Sequence, residues 1–435
     1  MVQTSPKAAN IALNSLNCDI FDEETGMQKN NMDDSISIEQ LIIERHKNKG
    51  QQLDRNDAFL THYLHHFESD IAKKFKTDAL SYATAILKKQ KSVSDAFKIN
   101  ETAFKAFKPI NAPFAAKNKA DFKFIDLFAG VGGFRMALQN IGGRCVYTSE
   151  FENNAKVTYA LNYADVPFGD ITKPENKDAI PESFDILCGG FPCQAFSIAG
   201  YQKGFSDTRG TLFFDIQQII EKHCPKVVFL ENVKNLVSHD KGNTFKVIKE
   251  ILEEKLGYKV FHKVLNSMTH ANVPQNRERI FIVAFDPKQV PSHSDFEFPA
   301  PVKLTKTIHN ILEEGKQPDK YYYKKDHMYY QKLDDTMKSR DTLYQWRRVY
   351  VRENKNNVCP TLTANMGAGG HNVPLVRDEY GIRKLTPREC FSFQGYPKNF
   401  VLPAILADSK LYMQAGNSVT MPLIQRIAEN IIKVL

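Results

Sequence analysis

The chain reads as an α/β protein: a Rossmann-like, doubly wound, mainly parallel sheet, with a smaller irregular domain and a helical N-terminal extension. Three observations predict this. From residue 122 short apolar runs alternate with amphipathic segments, the grammar of a parallel sheet covered on both faces. Between residues 286 and 382 that rhythm stops, in a stretch rich in Pro, Tyr, Lys and Asp. Before residue 120 the apolar positions fall at helical spacing instead. A chain of 435 residues is too long for one ordinary core, and the breaks divide it into 1–120, 121–285, 286–382 and 383–435.

Taken in order, the extension comes first. Up to Arg45 it holds eight acidic and three basic residues; from His46 to Ala120 it holds fourteen Lys/Arg and seven Asp/Glu. The spacing predicts helices over 37–49 and 57–91, with Leu60, Tyr63, Leu64, Phe67, Ile71 and Phe75 on one broad face. Residues 108–120, with two prolines and several alanines, read as a linker. Strands are predicted over 123–128, 144–149, 184–188, 226–230, 258–265 and 279–285. Helices are predicted between them over 133–141, 153–162, 212–224 and 243–256. A last helix, 419–435, carries Met421, Ile424, Ile427, Ile431 and Val434 at helical intervals.

Bulk properties exclude several classes. Apolar content of 42% with 25% charged residues describes a soluble globular protein. No run of about 18 apolar residues predicts a membrane span, and residues 1–15 lack the order of a secretory signal. The seven cysteines are dispersed, which suggests reduced thiols in a cytoplasm, and no CxxC pair or histidine cluster suggests a metal. The net charge of +8 suits a polyanionic partner without requiring one.

Two constellations carry chemistry. In the first, Asp126-Leu127-Phe128-Ala129-Gly130-Val131-Gly132-Gly133 follows a strand and opens a helix. Its glycines let the backbone approach a ligand, although GxGG is not GxGxxG and a bare tight turn is the alternative. Glu150 ends the next strand, where a carboxylate commonly grips ribose hydroxyls, and Asp170 follows, where one accepts from an adenine amino group. Phe151 is either a stacking face for adenine or ordinary core.

In the second, Gly189-Gly190-Phe191-Pro192-Cys193-Gln194 places Cys193 in a turn at a strand exit, and a later strand delivers Glu231 and Asn232 in the same way. The thiolate is the nucleophile, so Cys193 needs activation. Cys188, inside the strand, fits a small buried hydrophobe instead. Gln275, Arg277 and Arg279 alternate, so they share a face; that face is either a solvated basic edge or a set of donors to a bound base.

At these residues the chain resembles the DNA (cytosine-5)-methyltransferases of the bacterial restriction–modification type. The resemblance runs in family order over residues 122–435. It comprises the loop Phe128 to Gly133, Pro192-Cys193-Gln194, Glu231-Asn232-Val233 and Gln275-x-Arg277-x-Arg279, then Arg383-Lys384-Leu385-Thr386-Pro387-Arg388-Glu389 and Gly416-Asn417-Ser418-Val419. It implies the S-adenosylmethionine-dependent methyltransferase fold, with S-adenosylhomocysteine as product. Phe128, Ala129, Gly130, Gly132, Gly133, Glu150, Phe151, Asp170, Ile171, Pro192, Leu212, Asn417 and Ser418 fall at the family's cofactor positions. It implies that the last helix returns to the sheet domain beside the first motif, and that residues 286–382 form the target-recognition domain. Cys193 would attack carbon 6 of an extruded cytosine, Glu231 would donate to N3, and Arg277 and Arg279 would hold the base.

The DNA contacts follow from the same resemblance. Gln194, Ser197 and Arg209 lie in a segment expected to close over DNA, and Gln275 lies near the base. Arg347, Arg348 and Arg352 flank the only tryptophan, Trp346, and Thr363 lies in a loop like the family's base-approaching one. The pattern is similar to members with short palindromic targets of the GGNCC or GGWCC sort. Double-stranded DNA and a paired restriction endonuclease are the expected partners of a cytoplasmic monomer. An RNA cytosine-5 methyltransferase is the nearest rival, and the full-sized variable region favours DNA. A non-catalytic DNA-binding regulator is the other, and the intact Cys193 and Glu231 speak against it.

Overall fold

Helical spacing in the extension becomes a helical layer closed by a minimal sheet. Strands β1 (Ile36–Ser37) and β2 (Phe107–Lys108) pair in parallel around α1 (Ile38–Lys47), α2 (Arg55–His65) and α3 (Ala72–Lys91). The computed structural model describes residues 35–48, 51–67, 69–91, 101–116, 119–192, 212–368 and 372–435. The stretch expected as helical over 57–91 is two helices. Asp54 starts α2 with a capping box, and turn residues at His66–Phe67 and Asp70–Ile71 lie between it and α3.

The apolar runs become β3 (Phe122–Leu127), β4 (Gly143–Ser149), β5 (Ile186–Gly190), β6 (Val227–Val233), β7 (Lys259–Asn266) and β8 (Glu278–Phe285). They form one six-stranded sheet in the order β4-β3-β5-β6-β8-β7. The first four are parallel, and β8 runs antiparallel between β6 and β7. Side chains alternate between the faces. Phe124, Cys188 and Phe229 point into one layer with α4 (Gly133–Asn140) and the last helix. Ile125, Leu187 and Val228 point into the other with α5 (Asn153–Tyr163), α6 (Leu212–His223) and the extension. The expected helix over 243–256 is α7 (Asn243–Glu250) running into a π turn, Ile251–Lys255. From β3 the chain moves outward to β4, then back past β3 to β5. The crevice at that reversal is where open α/β sheets take ligands.

The region 286–382 is less irregular than expected. After α8 (Tyr330–Thr336) come β9 (Tyr344–Arg347), β10 (Tyr350–Glu353), β11 (Leu375–Arg377) and β12 (Ile382–Lys384), a small sheet of order β10-β9-β11-β12. Its own core is Leu333, Met337, Tyr344, Val351, Leu375 and Ile382, while Val290, Phe296, Ile308 and Leu362 belong to the core of the large sheet. Its joint to α9 (Pro387–Phe393) is a buried charge pair. Arg383 holds both oxygens of Glu389 at 2.8 Å, and Glu389 completes a capping box with Thr386. The motif around Thr386 is therefore structural. Helices α10 (Asp408–Asn417) and α11 (Met421–Val434) end the chain, and α11 lies on α4, with Asn140 donating to Gln425 at 3.1 Å.

Candidate active site

Two clusters form where β3, β4, β5 and β6 end. In the first, the loop after β3 needs left-handed backbone at Phe128 (φ 53°), Gly130 (φ 55°) and Gly132 (φ 83°). A Cβ on Gly132 would lie 2.4 Å from the Tyr163 ring, so only glycine fits there. A Cβ on Gly130 would meet nothing within 4 Å, so that stretch of backbone is open to a ligand. Glu150 is buried and accepts from the amides of Gly130 and Glu152, both at 2.8 Å. Burial raises its pKa. The Phe151 ring is 74% exposed, which excludes the core alternative. Asp170 is half-buried and turns back to the Thr172 amide at 2.9 Å, and Ile171 beside it is buried. An open glycine backbone, an exposed ring and two carboxylates suit a nucleoside bearing a cation. Ala129 is buried beneath this loop, and Leu212, the first residue of α6, is half-buried.

Gly133 ties the loop to the last motif. A Cβ on it would lie 2.5 Å from Val419 and 3.4 Å from the Ser418 hydroxyl. Ser418 is buried and bonded to the Tyr396 hydroxyl at 2.7 Å, while Asn417 is exposed. Ser418 and Val419, just before the last helix, thus lie beside the first motif.

The second cluster is built across β5, β6 and β8. Gly190 and Glu231 are paired in register. A Cβ on Gly190 would lie 3.3 Å from Glu231 Oε2, so the carboxylate sits over the strand exit that leads to Pro192. Arg279 Nε is 3.0 Å from Glu231 Oε1 without hydrogen-bond alignment, leaving that buried oxygen unbonded. Asn232 donates to the Phe191 carbonyl at 2.9 Å and pins the same exit. Sequence reading left Asn232 without a role; an amide directly after an acid at a strand end was the available signal. Cys188 is fully buried in β5, 3.2 Å from the Ile125 carbonyl, and burial raises its thiol pKa.

Gln275, Arg277 and Arg279 do share a face, but it points inward. Gln275, expected near DNA, is fully enclosed: its amide donates to Phe393 O at 2.7 Å and accepts from the Leu362 amide at 3.3 Å. The Arg277 guanidinium donates to carbonyls of Leu362 at 2.7 Å, Ser418 at 2.6 Å and Gly416 at 3.3 Å. Burial, then the charge of Arg279, lowers its pKa to about 9. It therefore clamps the Leu362 loop to the last motif. Thr363 next to Leu362 is exposed, with its backbone pressed on Gly416. Arg347, Arg348 and Arg352 are exposed on the β9–β10 hairpin, in the small sheet. Trp346 is half-buried against Tyr329, ring centroids 4.5 Å apart. Cys193, Gln194, Ser197 and Arg209 lie outside the described residues.

Comparison with known proteins closes the question of family. A family model for C-5 cytosine-specific DNA methylases matches residues 122–433. The chain is 52% identical over 311 residues to type II methyltransferase M.Bsp6I of Bacillus sp. (strain RFL6), covering 71% of this chain and 97% of that one. It is 43% identical over 340 residues to type II methyltransferase M.HpaII of Haemophilus parainfluenzae, covering 72% and 90%. Its fold resembles the crystal structure of S. pombe Dnmt2 methyltransferase, with a TM-score of 0.53 at 16% identity over 72% of this chain and 98% of that one. The chain belongs to the C-5 cytosine-specific DNA methylases and is an enzyme that methylates carbon 5 of cytosine in DNA.

Proposed function

We propose that the two clusters divide the reaction between a cofactor half and a base half, and that residues 286–382 choose the DNA sequence. The first cluster would hold S-adenosylmethionine, with Glu150 for the ribose hydroxyls, Phe151 and Ile171 for the adenine, Asp170 for its amino group, and the open backbone at Gly130 for the rest of the cofactor. When bound, it supplies a methyl group electrophilic enough for a carbon nucleophile. In the base half, the Cys193 thiolate adds to carbon 6 of a cytosine turned out of the helix, at a cost of a few kcal/mol for unstacking. Glu231 donates a proton to N3, so electron density gathers at carbon 5, which then takes the methyl group. A base removes the carbon-5 proton, the carbon 6–sulfur bond breaks, and N3 returns its proton to Glu231.

Arg279 holds the Glu231 carboxylate and takes part at the base. Arg277 acts one step removed, as a positioning residue, because its donors bind protein carbonyls. The observation that carries this reading is the Glu231 carboxylate over Gly190, with Oε1 unbonded, three residues ahead of Cys193. The type II class of both relatives supports a partner restriction endonuclease acting on the same double-stranded sequence in the cytoplasm.

The test is transfer of tritiated methyl groups to duplex DNA, to the same DNA lacking cytosine, and to transfer RNA. The parent chain is expected to label only cytosine-containing duplex, and Cys193→Ser to lose transfer while still binding DNA. Labelling of RNA alone, or an active Cys193→Ser, removes the proposal. Bisulfite sequencing of DNA from expressing cells then reads the target and the modified cytosine together.

A further inference from the structure

The family match begins at residue 122, so the extension lies outside it. Even so, it packs behind the strand ends that present Glu150 and Asp170. The link is Phe168, which is fully buried. Its amide donates to the Thr148 carbonyl at 2.8 Å, and its carbonyl accepts the Glu150 amide at 2.9 Å. The Phe168 ring stacks on Tyr147 at 5.0 Å and also meets three rings of the extension. Phe59 stands edge-on at 5.1 Å, His62 at 4.9 Å and Phe75 at 6.0 Å. Two residues earlier, the Val166 amide donates to the Thr61 hydroxyl at 2.9 Å.

The other flank of Glu150 is held as well. Its Oε1 accepts the Glu152 amide, and Glu152 caps α5 through the Ala155 amide at 2.7 Å. The first turn of α5 is bonded to the extension: the Leu53 amide donates to Asn153 Oδ1 and Lys156 Nζ to the Leu53 carbonyl, each at 2.9 Å. His46 meets the Asn153 amide nitrogen at 3.2 Å. The carboxylate is thus fixed on both sides by contacts that end in residues 46–75. A ligand group held in place before binding adds affinity, because less ordering is left to the binding step.

We infer that the N-terminal extension is a positioning element of the cofactor site. Phe59, Thr61 and His62 hold the 166–168 segment, Leu53 holds the start of α5, and together they keep Glu150 and Asp170 set for the adenosine of S-adenosylmethionine. This rests on the cofactor reading above. The test uses the full chain with Thr61→Val, Phe59→Leu and Thr61→Ser. Dissociation constants for S-adenosylmethionine and S-adenosylhomocysteine are measured by calorimetry without DNA, and unfolding is recorded separately. Thr61→Val and Phe59→Leu are expected to raise both constants about tenfold, and Thr61→Ser, which keeps the hydroxyl, to restore them. In steady state the KM for S-adenosylmethionine rises equally, while kcat at saturating cofactor and the KM for DNA stay within about twofold.

Folded variants with unchanged constants overturn the extension's role. A parent that binds neither nucleoside overturns the cofactor reading itself. A second measurement needs no variant: because coupling is reciprocal, S-adenosylhomocysteine is expected to slow amide exchange in α2 of the parent. Unchanged exchange there overturns the inference.

Discussion

The extension and the small β9–β12 sheet are both additions to the large sheet, and they are built in opposite ways. The extension turns most of its rings inward: Phe59, Phe75 and His62 are buried against Tyr147 and Phe168, although Phe67 is exposed, and the bonds from Arg144 to His66 and from the Val166 amide to Thr61 are buried too. The small sheet closes over a handful of side chains and presents the rest. At its hairpin tip Val349 is 72% and Tyr350 54% exposed, between exposed arginines. A segment that spends its apolar surface on the core shapes what lies behind it. One that leaves apolar and cationic groups in water is made to meet a partner. Among the described residues no helix is long and apolar enough to cross a membrane, and no acidic, His and Cys group is placed to hold a metal.

The largest effect that separates the two is on stability. Phe75 is fully buried, with ring centroids 6.2 Å from Phe59, 5.3 Å from His62 and 6.0 Å from Phe168. Phe75→Ala is expected to cost about 3–5 kcal/mol in denaturant unfolding. A loss below about 1 kcal/mol would mean the extension is only loosely docked, and the contrast would collapse.

Acid comes next, and in the extension it acts through three buried histidines. His62, His65 and His66 are buried there, and burial lowers all three pKa values, that of His65 to about 4. From the core side Asp165, Arg135 and Arg144 face them. His65 Nδ1 is 3.4 Å from Asp165, close enough to pair, yet burial keeps the ring neutral near pH 7. The unfolded chain protonates its histidines below about pH 6.5, the folded one does not. The stabilising term is therefore whole above pH 6.5 and is lost as the pH falls toward 4. For His65 alone it is on the order of 3 kcal/mol. Unfolding midpoints are expected to drop over that window in the parent, with a flatter slope in His65→Gln.

Legibility in the sequence followed burial pattern. Continuous apolar runs made β3, β4, β5 and β6 readable, and with them the places of Glu150 after β4 and of Glu231 in β6; Cys193 lies outside the described residues. Gln275 shows where reading stopped: alternation says that three side chains share a face, and only packing says that the face points inward. The small sheet was missed because strands of three and four residues, such as Leu375–Arg377 and Tyr344–Arg347, carry too few alternations to register. The helices of the extension were visible, but an amphipathic stripe does not say what covers it, so their place behind Phe168 was not.

The smallest effect on stability is expected at the hairpin, where recognition changes instead. Arg347 and Arg352 both reach Gln345 Oε1, the former at 3.3 Å, so each is already anchored in the sheet. Arg348 sits at the turn itself, with left-handed backbone at φ 51° and an exposed side chain. Arg348→Ala and Tyr350→Ser touch no core and should move unfolding free energy by less than about 0.5 kcal/mol. If the tip reads a base, Arg348→Ala weakens discrimination at one position of the target by about 1–3 kcal/mol and leaves the others unchanged. If it only grips phosphate, all duplexes weaken together and the salt dependence of binding falls by about one ion. Methylation rates on duplexes altered one base pair at a time, at two salt concentrations, separate the two outcomes. A uniform loss would make the hairpin a positioning surface and move base reading to the Thr363 loop, which the Arg277 clamp ties to the catalytic sheet.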